Sequence, residues 1–217
     1  MATEEPKFSI IEKSEPFELR NYAPQLIAEV KVEGDLDTAS SQGFRLIAAF
    51  IFGQNQVSEK ISMTAPVGME AMQSTKIAMT VPVGIEASKG LSNQWIFSFV
   101  MPAEYTLATL PKPLNPLVSI RELPAQKRAA IIFSGFYNED KVSEKTKALE
   151  EWIKSKQLQV VGAPQFARYN PPWSLPFMRR NEILITVREW SNRRKKVQIF
   201  PALTLGYMPT ETIIIPP

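Results

Sequence analysis

Residues Leu19 to Gly34, LRNYAPQLIAEVKVEG, can be laid without a gap on Ile120 to Gly135, IRELPAQKRAAIIFSG. Arg20 then falls on Arg121, Gln25 on Gln126, Ala28 on Ala129 and Gly34 on Gly135, while Val30 over Ile131 and Val32 over Phe133 keep the apolar positions in step. The identities alone are few, and the shared order of elements carries the weight. Each block reads as two strands leading through a glycine into a helical segment, with further strands beyond. A chain built this way must use one strand, strand, helix, strand unit twice. Two such units can pair into one curved antiparallel sheet or barrel with two helices against it, an α+β layout.

A shorter duplication lies between them. KISMTAPVGMEA, starting at Lys60, and KIAMTVPVGIEA, starting at Lys76, repeat nearly the same words. Alternation places Ile61, Met63, Ala65 and Val67 on one face of the first copy, and Ile77, Met79, Val81 and Val83 on one face of the second. Pro66 and Pro82 cannot donate a ladder hydrogen bond, so each strand should meet an edge, a bulge or its end there. Met63 and Met79 would face inward from equivalent places, as adaptable side chains.

Other strands are expected at FELRNY, QLIAEVKVEG, QWIFSFVM, VSIREL, KRAAIIFSG and EILITV. Two helices are expected. One follows Asp37 as N-cap and carries Phe44, Ile47, Ala48 and Ile51 at helical spacing; the other follows Asn138 and carries Val142, Leu149, Trp152 and Ile153.

Composition closes off several functions. The 217 residues, 44% hydrophobic and 22% charged, suit one globular domain with an appendage. With no Cys and no His, the chain has no disulfide, no thiolate zinc site, no His-dependent triad and no imidazole ligand for a metal. Spaced glycines of a dinucleotide fingerprint and the Gly-Lys-Ser/Thr of a P-loop are both missing. The acidic start and the lack of a run of roughly 20 apolar residues predict a soluble, cytoplasmic protein without a membrane span. A net charge of +3 is concentrated near Arg193, Arg194, Lys195 and Lys196, which read as a solvated tail rather than a nucleic-acid surface. Glu139, Asp140, Glu150 and Glu151 read as helix-surface carboxylates. Glu70, Glu86 and Tyr169 are the remaining candidates for acid–base chemistry, Tyr169 also for oxygen ligation of iron.

In FRLIAAFIF every residue but Arg45 is apolar, more than one sheet contact requires. Either both sides of the helix are buried, or one lines a pocket for a flat apolar ligand. Arg45 then either reaches to water or pairs with a ligand carboxylate, with Lys60 and Lys76 as further anchors. Core packing alone remains the plainer account of Met63 and Met79.

The doubled KISMTAPV and KIAMTVPV, FSFVMPAEYTLATLPKP, RAAIIFSGF and ARYNPPWSLPFMRRNEILI, in that order, resemble the SOUL family of haem-binding proteins from about Phe8 to Val187. The resemblance implies a distorted antiparallel β-barrel of two pseudosymmetric halves flanked by two long helices, spanning residues 1–188. It leaves 189–217 as a basic, proline-containing extension, a docking segment for a protein partner or a plain tail. It also implies haem or another tetrapyrrole as ligand, in an apolar groove bordered by the first helix. Here that groove corresponds to Phe44, Ile47, Ala48 and Ile51, with Arg45 and Lys60 near the carboxylates and Met63 on the adjacent strand. Without histidine, iron would be held by Met, Tyr, Lys, water or no protein ligand. The expected function is a non-enzymatic carrier, buffer or sensor. The alternatives are a tetrapyrrole-modifying enzyme, removing metal or acting as a peroxidase, and a ligand-free interaction module on the same fold.

Overall fold

A computed structural model describes residues 4–56, 74–87, 93–170 and 173–190. The first unit comprises β1 (Phe8–Ser14), β2 (Phe17–Tyr22), β3 (Gln25–Glu33), α1 (Leu36–Ile51), β4 (Asn55–Gln56), β5 (Val83–Ala87) and β6 (Gln94–Val100). β7 (Lys112–Pro113) precedes the second unit, which runs β8 (Ser119–Leu123), β9 (Gln126–Phe133), α2 (Glu139–Ser155), β10 (Leu158–Val160), β11 (Gln165–Arg168) and β12 (Asn181–Glu189). A short 3-10 turn, Pro176–Met178, precedes β12.

The main sheet has the order β1-β2-β9-β12-β11-β5-β6-β3-β8. Exchanging β2 with β8, β3 with β9, β5 with β11 and β6 with β12 turns the run from β2 to β8 into its own reverse. The halves are therefore related by a local twofold between β5 and β11. The register obeys the same relation as the sequence repeat: Leu19 faces Ala129 and Ile120 faces Ala28; Arg20 faces Arg128 and Arg121 faces Ile27; Tyr22 faces Gln126 and Leu123 faces Gln25. β2 is thus paired to β9 of the second unit and β8 to β3 of the first, so neither half completes its sheet alone. Gly34 and Gly135, matched in the repeat, both turn the chain toward the helices at positive φ, 123° and 97°. A side chain there would be strained.

The mixed α+β layout with two helices is seen, and closure into a barrel is not. Among the described residues β1 and β8 each have a strand neighbour on one side only, and the antiparallel sheet is open. Charged residues such as Glu12 and Lys13 on β1 and Arg121 and Glu122 on β8 suit edges that stay unpaired. The doubled segment is corrected too. In its second copy the strand begins only at Val83, after Pro82, although Ile77 is buried and Met79 and Val83 pack on the core as alternation expected. All of the first copy, with Lys60, Met63 and Glu70, lies outside the described residues.

Both helices cover one face of the sheet. α1 is capped by Asp35, whose carboxylate accepts from the Thr38 amide at 2.8 Å; Asp37, expected as the cap, sits in the first turn. α2 is capped by Asn138. α1 lies on β3 and β6, α2 on β9, β10 and β12. Between helices and sheet lies the core, with Ile47, Phe50 and Ile51 from α1, Leu149 and Ile153 from α2, and Val30, Phe97, Phe99, Ile131, Ile183 and Ile185 from the strands. At Gly43 a β-carbon would stand 2.3 Å from Phe97 Cγ, so this contact admits only glycine without movement.

Candidate functional site

Strand alternation sends every second side chain to the face opposite the helices, and there the sequence places charge. Glu18, Arg20, Arg128 and Glu182 are all buried. Arg20 grips Glu182 with both terminal nitrogens at 2.7 and 3.0 Å, donates from Nε to Glu18 at 2.8 Å and reaches the Tyr22 hydroxyl at 3.0 Å. Glu182 also accepts from the Tyr169 hydroxyl and from Arg180 Nε, each at 2.9 Å. Burial pushes the Glu182 carboxyl up, but the hydrogen bonds and charge of Arg20, with the charge of Arg180, outweigh it and hold the group below the ordinary carboxylate value. Burial and the Glu182 charge raise Tyr169 well above the usual phenol range, so it stays a neutral hydrogen-bond donor. This cluster ties β2 to β12 across β9.

Beside it, a cleft of about 200 Å³ opens on the same face. Arg128 stands in its wall, Nη2 donating to Gln165 Oε1 at 2.6 Å; Gln165 in turn reaches Ser98 Oγ at 3.3 Å. Gly84 makes room for Gln165, since a β-carbon there would fall 2.4 Å from Gln165 Nε2. Burial pulls the Arg128 guanidinium below its ordinary value, against the opposing pull of Tyr22 and Glu86. Across the cleft Arg121 holds Glu29 at 2.8 and 3.2 Å. Sequence reading did not single out Arg128 as a site residue. Its signal was the repeat itself, in which the counterpart of Arg128 is Ile27.

On the helical side the expected groove residues separate. Ile47 and Ile51 are fully buried and Ala48 nearly so, holding α1 to the sheet. Phe44 is 41% exposed, with its ring 5.9 Å from that of Phe99, and Arg45 is exposed next to it. Phe44 on α1 and Phe52, its C-cap residue, are both exposed on the side of the helix where the buried Ala48 lies between them at four-residue steps. Lys60 and Met63 lie outside the described residues, while Lys76 is exposed. Tyr169 packs beside Ala130, Ala167 and Leu184 on the other face, with the sheet between it and Phe44. The half-buried Glu86 lines the cleft. No cluster of three or more metal-binding side chains occurs among the described residues, and none of their helices is long and apolar enough to cross a membrane.

Two interlocked halves with two helices on one sheet face define a duplicated α+β fold. The family described as SOUL heme-binding protein matches residues 3–75 and 68–186, and the chain belongs to that family. Solved structures agree on the fold. The C-terminal domain of EcmrR superposes with a TM-score of 0.55 at 10% identity, covering 80% of this chain and 97% of that one. An uncharacterized conserved protein from Listeria innocua gives 0.53 at 11% identity, with 79% and 92% covered. A hydrolase from the same organism gives 0.50 at 10% identity, with 79% and 91% covered. EcmrR in a complex with DNA gives 0.55 at 10% identity, over 80% of this chain and 57% of that one. At such identities the likeness is one of fold. Comparison with curated proteins gives no match.

Proposed function

We propose that this protein is a soluble, non-enzymatic tetrapyrrole binder acting as a carrier, buffer or sensor, and that the flat ligand lies against the outer flank of α1. Family membership supports the ligand class. The observation that carries the location is the exposed apolar flank of Phe44 and Phe52 with Arg45 beside it. A porphyrin needs an apolar surface for its ring and a cation for its carboxylates, and this flank offers both. In this reading Phe44 and Ala48 meet the ring, and Ile47 and Ile51 hold the helix beneath it. Arg45 and Lys60 pair with the carboxylates, and Met63 adds a thioether from the doubled segment. When bound, haem would supply spectral and redox properties, while the chain itself supplies neither imidazole nor thiolate to the iron. Residues 1–188 form the binding domain, and 189–217 an appended basic segment available to a protein partner.

Absorbance titration with haemin, beside protoporphyrin IX and biliverdin, tests this reading. A saturable Soret change near one equivalent, weakened in a variant carrying Arg45→Ala and Met63→Ala and in Phe44→Ser, is the expected result. No saturable change with any of the three overturns it and favours an interaction module on the same fold. Turnover of the tetrapyrrole that Glu86→Ala abolishes would instead make the protein an enzyme.

A further inference from the structure

The two buried arginines of the polar face are satisfied very differently. Arg20 spends its donors on Glu18, Tyr22 and Glu182. Arg128, directly across the strand pair, is only 8% exposed, yet no carboxylate among the described residues lies within ion-pair distance of it. Among the described residues its side chain makes one hydrogen bond, to the neutral amide of Gln165, and its Nε has no acceptor. The side-chain amide nitrogen of Gln25 is also buried without an acceptor, and Gln25 lines the same cleft. A buried cation without a counterion and a buried donor without an acceptor are each costly, and here both border one cleft.

We propose that this cleft binds a small organic carboxylate, its oxygens taken by Arg128 Nε and Gln25 Nε2 and its apolar body by Ile27, Ile96, Leu123 and Leu184. The site is separate from the α1 flank, because the sheet lies between them. Two unmet donors and no unmet acceptor call for an acceptor-only group, which a carboxylate is at neutral pH. The carboxylates already lining the cleft do not serve: Glu29 is bound by Arg121, and Glu86 is not within ion-pair distance of Arg128. The size limits the body. A dry cavity of about 150 Å³ accepts benzene, so a cleft of about 200 Å³ suits one ring or a short chain, not a tetrapyrrole. Ile27 and Leu184 are buried in its walls and Ile96 and Leu123 half-buried, giving that body apolar contact.

The test is an NMR titration of the full chain at pH 7 and constant ionic strength, following the Nε–H signal of Arg128 and the side-chain amide of Gln25. Benzoate and hexanoate are the probes and benzyl alcohol the uncharged control. Saturable shifts of both signals with a carboxylate, none with benzyl alcohol, and an unmoved Arg20 Nε–H are expected. Arg128→Met should weaken binding by roughly tenfold or more, the loss of one charge-assisted hydrogen-bonded pair, and Gln25→Leu by less. Should Arg128→Met not fold, the wild-type titration and Gln25→Leu decide. No saturable shift with either carboxylate, an equal response to benzyl alcohol, or undiminished binding by Arg128→Met overturns the proposal. An equal shift of the Arg128 signal by protoporphyrin IX would also overturn it, by giving the cleft to the larger ligand.

Discussion

The two halves share a backbone plan and divide on side chains. Arg20 and Arg121 occupy matched positions, and their cross-strand neighbours, Arg128 and Ile27, are matched in the repeat register as well. Yet the Arg20 side chain is 1% exposed and bound by two glutamates, whereas that of Arg121 is 53% exposed and bound by Glu29 alone. At the next matched pair an apolar Ile27 stands against a charged Arg128. Duplication therefore fixed strand order, register and glycine turns, which depend on the backbone. Burial then depended on what each half's neighbours covered, so that matched positions lining one cleft, Ile27 and Arg128, differ in charge.

The largest effect should come from the buried arginine pair. Glu182→Ala leaves Arg20 charged and buried with only Glu18 as counterion, and should cost about 3–5 kcal/mol in urea unfolding. A loss as small as that of an exposed pair would mean that water reaches Arg20 and that the halves differ less than their burial indicates. Next, Gly43→Ala forces a β-carbon against Phe97 and should cost about 1–3 kcal/mol by the same measurement. A neutral result would show that α1 can lift from β6 freely.

Acid should expose the same asymmetry. The folded Glu182 carboxyl titrates below its unfolded value, so its contribution is present above roughly pH 4.3 and is lost as pH falls through the lower folded value. The wild type should therefore lose stability on acidification below that range, and Glu182→Gln should flatten this part of the stability–pH curve. An unchanged slope would remove Glu182 as the acid-sensitive group. The smallest effect belongs to Glu29→Ala, which breaks the partly exposed pair with Arg121 and should cost about 0.2–1 kcal/mol.

Sequence periodicity and the repeat were sufficient to read β2, β3, β6, β8, β9, β12 and both helices, because hydrophobic alternation and capping residues are local signals. β1, β4, β7, β10 and β11 went unread. Each is defined by pairing with a distant or irregular partner, β11 by β5 and β12, and its four residues are too few to show a period. The α1 stripe was legible as apolar, but which of its residues face the sheet and which face outward depended on where β3 and β6 lie: Ile47 and Ile51 went inside, Phe44 remained half out. Arg20, Arg128 and Glu182 stand in strand segments, and nothing local in the sequence marks them as buried. Only the long-range pairing of β2 with β9 and of β9 with β12 brings them together on one sheet face. Burial is a property of long-range neighbours, and it changes a surface charge into one that must find a partner.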